Sequence, residues 1–167
     1  PSEIVGAAEL ALGSRSLAGE TLLVTAGGTR EPIDAVRCVS NRSSGKMGFA
    51  IAAEGARRAA EVVLVSGPSA LDTPPGVRRI DVETALDMRD AVLRELPVAG
   101  IVIKAAAVAD FRPAQRQAHK IKKEDLRQGA DLMIELEPNP DILAEICRDK
   151  GDRVVVGFAA ESRDVIE

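Results

Sequence analysis

The chain is predicted to fold as a three-layer, Rossmann-like α/β domain built on a mostly parallel sheet, and three observations point there. Apolar, β-branched runs recur at 21–25, 62–66, 100–106 and 153–158, and they are continuous rather than alternating, as strands buried on both faces require. Helix-spaced apolar positions fill the intervals between them, so the connections are crossovers that cover a single sheet. The strands then run into glycine or other small residues, the turns at which such folds hold ligands. With 167 residues, 46% of them hydrophobic, the chain is long enough to bury one real core.

Residues 1–18 stand apart. Ile4, Val5, Ala8 and Leu12 recur at helical spacing until Gly13-Ser14-Arg15-Ser16 breaks the pattern. This stretch reads as a linker helix from a preceding domain or as the domain's own first helix, with the folded unit starting near Gly19. Thr21-Leu22-Leu23-Val24-Thr25 is the first strand. A helix is predicted over 44–60, capped by Ser43 or Ser44, with Met47, Ala50 and Ile51 facing inward. Val62 to Ser66 is a strand ended by Gly67-Pro68, and Val77 to Val82 is a weaker one after Pro74-Pro75-Gly76. Ala85, Met88, Val92 and Leu96 mark an amphipathic helix capped by Glu83 or Thr84. Gly100 to Ala106 is strand-like. Asp131 to Glu137 alternates, with Leu132, Ile134 and Leu136 on one face. Asn139 caps a helix that begins at Pro140 and runs to about Lys150, and Arg153 to Phe158 is the last strand.

Composition removes several classes of function. A net charge of −4 argues against nucleic acid as a partner, because phosphate binding needs a basic face. With no Trp, no Tyr and three Phe, base-stacking platforms are nearly excluded. No apolar run approaches the roughly 20 residues of a membrane helix, so no membrane role is expected. Cys38 and Cys147 have neither CxxC spacing nor a His or Cys neighbour, which removes a zinc site and a disulfide framework and suits the cytoplasm. His119 is the only histidine, which disfavours a histidine-based triad.

The strand ends carry the chemistry. Gly27-Gly28-Thr29-Arg30 lets backbone N–H groups approach an anion, with Arg30 adding charge. Asn41-Arg42-Ser43-Ser44-Gly45-Lys46 opens a helix, where unpaired N–H groups and the macrodipole favour phosphate. It is not a Walker A loop, since the glycine required four residues before Gly-Lys is absent. Lys104-Ala105-Ala106-Ala107 gives a flat ligand access to the backbone, and Asp110 reads as a Mg²⁺ or hydroxyl ligand or as a plain loop cap. Lys120-Ile121-Lys122-Lys123 reads as a solvated charge run or a triphosphate site. Pro140, Asp141, Ile142 and Leu143 form another helix start, and Phe158 reads as core filler or a packing surface for a base. The sum points to a nucleotide plus a second, phosphorylated substrate.

In this order these segments resemble phosphopantothenate–cysteine ligase, the synthetase half of the bacterial bifunctional coenzyme A biosynthesis protein. The likeness runs over residues 20–161 and is most specific at Ser40-Asn41-Arg42-Ser43-Ser44-Gly45-Lys46-Met47-Gly48. The family activates the carboxylate of 4′-phosphopantothenate with CTP and Mg²⁺ (or Mn²⁺), giving an acyl-cytidylate that L-cysteine converts to an amide. The resemblance implies that Asn41 contacts the acyl-cytidylate and that Arg37 supports the same step. It places Ala106 and Ala107 along the nucleotide, with Asp110 and Phe158 on CTP. Backbone groups of Pro140 to Leu143 serve the nucleotide, and Lys120 stabilises charge on the departing phosphates. Any metal is held mostly through the CTP phosphates, beside Asp110. The resemblance further implies a homodimer, within a larger oligomer of the bifunctional protein, with residues 31–43 as an arm over the partner's site. Residues 1–18 then join a decarboxylase half that alone carries FMN, and residues 19–167 are a synthetase domain incomplete at its C-terminus, short of a lysine-bearing stretch. Lys104 departs from the small or apolar residue usual in the family, and Gly28 replaces a frequent proline.

Two other readings compete. A nicotinamide-dependent Rossmann oxidoreductase fits the alternation, but the first turn lacks G-x-G-x-x-G and the second strand ends in Ser66-Gly67 where a ribose-binding acid is expected. A non-catalytic nucleotide-binding dimerisation module predicts binding without turnover.

Overall fold

A computed structural model describes Val5, Leu12 and residues 15–58, 60–125 and 131–159. Among the described residues five parallel strands form the central sheet: β1 (Thr21–Ala26), β4 (Glu61–Ser66), β5 (Val77–Asp81), β6 (Ile101–Lys104) and β9 (Val154–Gly157). Their spatial order is β5-β4-β1-β6-β9, so the chain winds outward from β1 in one direction and then in the other. The reversal falls between β1 and β6, and the carboxyl ends of strands at such a reversal are where folds of this class hold ligands.

Alternation along β1 sorts the core into two halves. Leu22, Val24 and Ala26 meet helix α1 (Lys46–Arg57) through Phe49, Ala52 and Ala56. Leu23 faces the other way, toward α2 (Ala85–Glu95) and α3 (Ile142–Arg148), where Met88, Val92, Ile142 and Ile146 are buried. The domain therefore has three layers, as predicted. The expected linker helix over residues 1–18 lies largely outside the described residues. Leu17 is anchored: its N–H donates to the Arg58 carbonyl at 3.0 Å and its side chain packs on the α1 half of the core.

Several local expectations are corrected. Helix α1 starts at Lys46, and its cap is Gly45, left-handed at φ 79°, with no side-chain capping bond from Ser43 or Ser44. Its inward face is Gly48, Phe49, Ala52, Gly55 and Ala56, whereas Met47 and Ala50 are exposed and Ile51 is only half-buried. Close approach decides this: a Cβ on Gly48 would stand 2.5 Å from Ala26 Cβ, so only the glycine face fits against β1. Helix α3 is capped by Asp141, which accepts from the Ala144 N–H at 3.0 Å; Asn139 and Pro140 precede it. The Asp131–Glu137 alternation shortens to β8 (Leu136–Pro138), which pairs with β7 (Phe111–Pro113) in an antiparallel ribbon and leaves Leu132, Ile134 and Leu136 exposed. The edge strand β9 exposes Val154 and Val156, so burial on both faces holds only for inner strands. Between Arg30 and Ser40 the chain forms a second ribbon, β2 (Arg30–Pro32) against β3 (Cys38–Ser40). Cys38 and Cys147 are free and exposed, and no helix among the described residues is long and apolar enough to cross a membrane.

Candidate active site at the strand reversal

Beyond the sheet, the ends of β1 and β6 are laced together by backbone and threonine groups. The Ala107 N–H donates to the Gly27 carbonyl at 2.8 Å, and Gly28 and Ala107 form a parallel bridge. The Thr25 hydroxyl accepts from the Ala106 N–H at 3.1 Å, and that of Thr29 accepts from the Ala109 N–H at 2.9 Å. These contacts fix Ala105, Ala106 and Ala107 as a half-buried shelf beside the glycine turn. Gly67, at the end of β4, packs backbone against backbone here: a Cβ on it would stand 2.4 Å from the Gly28 carbonyl oxygen. Sequence reasoning took Gly67 only as a strand end.

The start of α1 sits directly on this turn. A Cβ on Gly45 would lie 3.3 Å from the Gly27 nitrogen, so the two glycines touch. With no side chain capping α1, its first N–H groups beside Gly27, Ser43 and Ser44 are available to an anion. Lys46 stands exposed in the first turn. Asn41 links this helix start to the shelf, because its amide donates to the carbonyls of Ala107 at 3.3 Å and Val108 at 3.0 Å.

On the β9 side, Asn139 ties the start of α3 to the shelf. Its amide donates to the Ala109 carbonyl at 2.8 Å and its N–H to the Asp110 carbonyl at 2.7 Å. Pro140 to Leu143 thereby lie beside the exposed Asp110, and the Phe158 N–H donates to the Lys104 carbonyl at 3.4 Å. Phe158 is 54% exposed, so it is not core filler among the described residues. Lys104 shares the sheet face of Val102, toward α2 and α3, and makes no ion pair among the described residues.

Arg37 and Lys120 belong to a third group, held by the β2–β3 ribbon. The buried Asp34 carboxylate accepts from Arg37 Nε at 3.0 Å and forms an ion pair through Arg37 Nη2. The Arg37 guanidinium holds the Asp34 carboxyl well below the usual carboxylate range; burial opposes this, and N–H groups of Val36, Arg37 and Ile121 reinforce it. Ile121 donates to Asp34 at 3.1 Å, which places the neighbouring Lys120. The sequence gives Asn139 only the role of a helix cap and Asp34 no role of its own, although the short Asp34-to-Arg37 spacing is a readable signal for a local ion pair.

Arg30 is the predicted site residue that the fold draws elsewhere. Its N–H donates to the Glu83 carbonyl at 2.8 Å, and it lines a separate cavity of about 960 Å³ with Ser69, Arg79 and Asp87, at the ends of β4 and β5. Among the described residues no three His, Cys, Asp or Glu side chains converge on a metal position. Asp110 is exposed at the mouth of the shelf, and a carboxylate there suits a Mg²⁺ that phosphates would hold chiefly.

Fold and site together define a doubly wound, Rossmann-like α/β domain with a helix start at its topological switch point. The chain belongs to the family described as DNA/pantothenate metabolism flavoprotein C-terminal domain, which matches residues 17–167. It is 54% identical over 147 residues to the coenzyme A biosynthesis bifunctional protein CoaBC of Escherichia coli strain K12, covering 87% of this chain and 36% of that one. The corresponding Mycobacterium tuberculosis H37Rv protein is 50% identical over 157 residues, covering 89% and 36%. The chain thus spans little more than a third of the length of these curated relatives. A crystal structure of a CoaBC C-terminal domain superposes with TM-score 0.78 at 45% identity, covering 91% of this chain and 70% of that one. A Cab2 variant in complex with phosphopantothenate-cysteine shares the fold, with TM-score 0.63 at 16% identity over 87% of this chain and 65% of that one.

Proposed function

We propose that this domain ligates 4′-phosphopantothenate to L-cysteine at the expense of CTP. The observation that carries the reading is the Asn41 amide, which joins the start of α1, free of a side-chain cap, to the Ala107–Val108 carbonyls and so supports reading an anion site beside a nucleotide shelf. Two relatives' names refer to coenzyme A biosynthesis, and the Cab2 complex holds phosphopantothenate-cysteine; both support this substrate class.

In the first step the substrate carboxylate attacks the α-phosphorus of CTP, forming the acyl-cytidylate and expelling pyrophosphate. The shelf of Ala105, Ala106 and Ala107, with Pro140 to Leu143 and Phe158, orients the nucleotide, and Lys120 meets the charge that builds on the leaving phosphates. The N–H groups at the start of α1, with Gly27, Gly28, Thr29 and Lys46, hold the terminal phosphate of the second substrate. When bound, Mg²⁺ (or Mn²⁺) neutralises phosphate charge beside Asp110. In the second step the cysteine amine attacks the acyl carbon, CMP leaves, and the amine gives up a proton as the amide forms. Asn41 and Arg37 hold the acyl-cytidylate for that attack. Preorganised donors of this kind are worth several kcal/mol in the transition state.

Residues 1–18 link this domain, from 19 onward, to an FMN-bearing decarboxylase half, and the working unit is a cytoplasmic homodimer within a larger oligomer. The test is pyrophosphate release by the longest natural chain containing this domain, given phosphopantothenate, cysteine and either CTP or ATP. Release that depends on CTP and phosphopantothenate is expected, and its absence with both nucleotides sinks the reading.

A further inference from the structure

We infer that Asp34 is a positioning residue that locks Arg37 and the Lys120 loop into one unit; its consequence for turnover, though not its geometry, rests on the ligase reading. The two carboxylate oxygens have separate tasks. Oδ1 accepts from the Val36 and Arg37 N–H groups, both at 2.8 Å, and closes the turn between β2 and β3. Oδ2 accepts from Arg37 Nε, Arg37 Nη2 and the Ile121 N–H. The turn needs only Oδ1, so Oδ2 is devoted to side-chain and long-range contacts.

Reach across the chain sets this apart from a local ion pair. Ile121 lies 87 positions from Asp34, and Arg37 Nη2 closes the ring by donating to the Ile121 carbonyl at 2.8 Å. A second tie runs from the Gln117 N–H to the Ile33 carbonyl at 2.9 Å. From β7 to the short 3-10 turn at Lys123–Asp125 the loop has no helix or strand, so these contacts are what place Lys120. A buried carboxylate is costly unless its lone pairs are filled, and here five N–H bonds fill them. Within the unit Asp34 offsets the Arg37 charge, while Lys120 has no ion pair among the described residues. Among the described residues Arg37 Nη1 has no hydrogen-bond partner. Lys120 thus brings net charge to the site, and Arg37 brings an oriented donor.

The test follows both half-reactions in the longest natural chain with Asp34→Asn. An asparagine oxygen retains the turn bonds, while its NH₂ group confronts the N–H groups of Arg37 and Ile121. Pyrophosphate release and amide formation should each slow by about 10²-fold, the cost of a small misplacement, with the KM for CTP changed less than the rate. In an Arg37→Gln background Asp34→Asn should add nothing to the amide-forming defect but should still slow pyrophosphate release. A purely structural Asp34 would lower the melting temperature yet leave both rates intact in the cold, and that result overturns the proposal. So does a fully additive loss in the amide-forming step. Hydrogen exchange on the unaltered protein covers a variant that fails to fold: the Ile121 amide should be protected relative to Lys122, and equal exchange overturns the clamp. This readout needs no turnover, so it separates loss of the clamp from loss of the ligase reading.

Discussion

Asn41 and Asn139 spend their amides on one segment, Asn41 on the carbonyls of Ala107 and Val108 and Asn139 on that of Ala109. An amide satisfies these carbonyls without adding charge beside the anionic substrate of the proposed reaction. Asn41→Asp reverses the contact, setting a carboxylate against two carbonyl oxygens and against the substrate. We expect CTP-dependent amide formation to fall by about 10²- to 10³-fold, with little change in melting temperature because Asn41 is exposed. Calorimetry and a product assay on the same preparation check both halves of this. The glycines of α1 make a second comparison. Gly48→Ala drives a Cβ into Ala26 Cβ at 2.5 Å and the Thr25 carbonyl oxygen at 2.9 Å, both parts of a buried strand. Gly55→Ala meets the tip of the Leu22 side chain, which can turn aside. Urea denaturation should find Gly48→Ala destabilising by about 1–3 kcal/mol and Gly55→Ala clearly milder.

At the scale of elements, α1 and α2 begin in opposite ways. Helix α2 is closed: Thr84 and Asp87 form a reciprocal capping box, and the buried Glu31 carboxylate accepts the Ala85 N–H at 2.9 Å. Helix α1 is open, with a left-handed glycine cap and no side-chain oxygen on its first N–H groups. Helix α2 packs on the sheet through Met88 and Val92, whereas α1 abuts the glycine turn. Thr84→Ala should therefore cost about 1 kcal/mol in urea unfolding. Ser43→Ala should fall within about 0.5 kcal/mol of the parent, although a serine before a helix would ordinarily be credited with the cap. A comparable loss in both variants would mean that Ser43 caps α1 in solution.

Across the whole molecule, carboxylates set the response to acid. Asp34 lies below its usual range through Arg37, Asp87 through the Thr84 N–H, and Glu95 through Arg78. Glu54 is lowered to about 2 by hydrogen bonds from Arg57 and Arg58. A carboxylate whose folded pKa is depressed contributes stability above its unfolded value and loses it as pH falls through the folded one. The urea midpoint should therefore be flat from about pH 7 to 5 and fall steadily between about pH 4 and 2. Asp34→Asn should flatten the acid limb, and a midpoint that rises on acidification contradicts the assignment. Exposed pairs such as Glu54 with Arg57 add little to this, because solvent screens them.

The sequence by itself determined the sheet and the two-sided helical cover, because continuous apolar runs and helix-spaced apolar residues have few other ways to bury their surface. It also determined the chemistry at the strand ends, where small residues, a helix start and lysines keep their character whatever the fold. Tertiary structure alone decided which of them meet. Asn41 reaches Ala107 and Val108 only because β1 and β6 are neighbours, and Arg30 departs because β2 runs toward Glu83. The glycine-lined face of α1, the shift of the α3 cap to Asp141 and the β7–β8 ribbon depended on close approach and on pairing between distant segments. Asp34 shows the division most plainly. Its spacing to Arg37 is local and legible, whereas its bond to Ile121 closes a loop of 87 residues that no local pattern records.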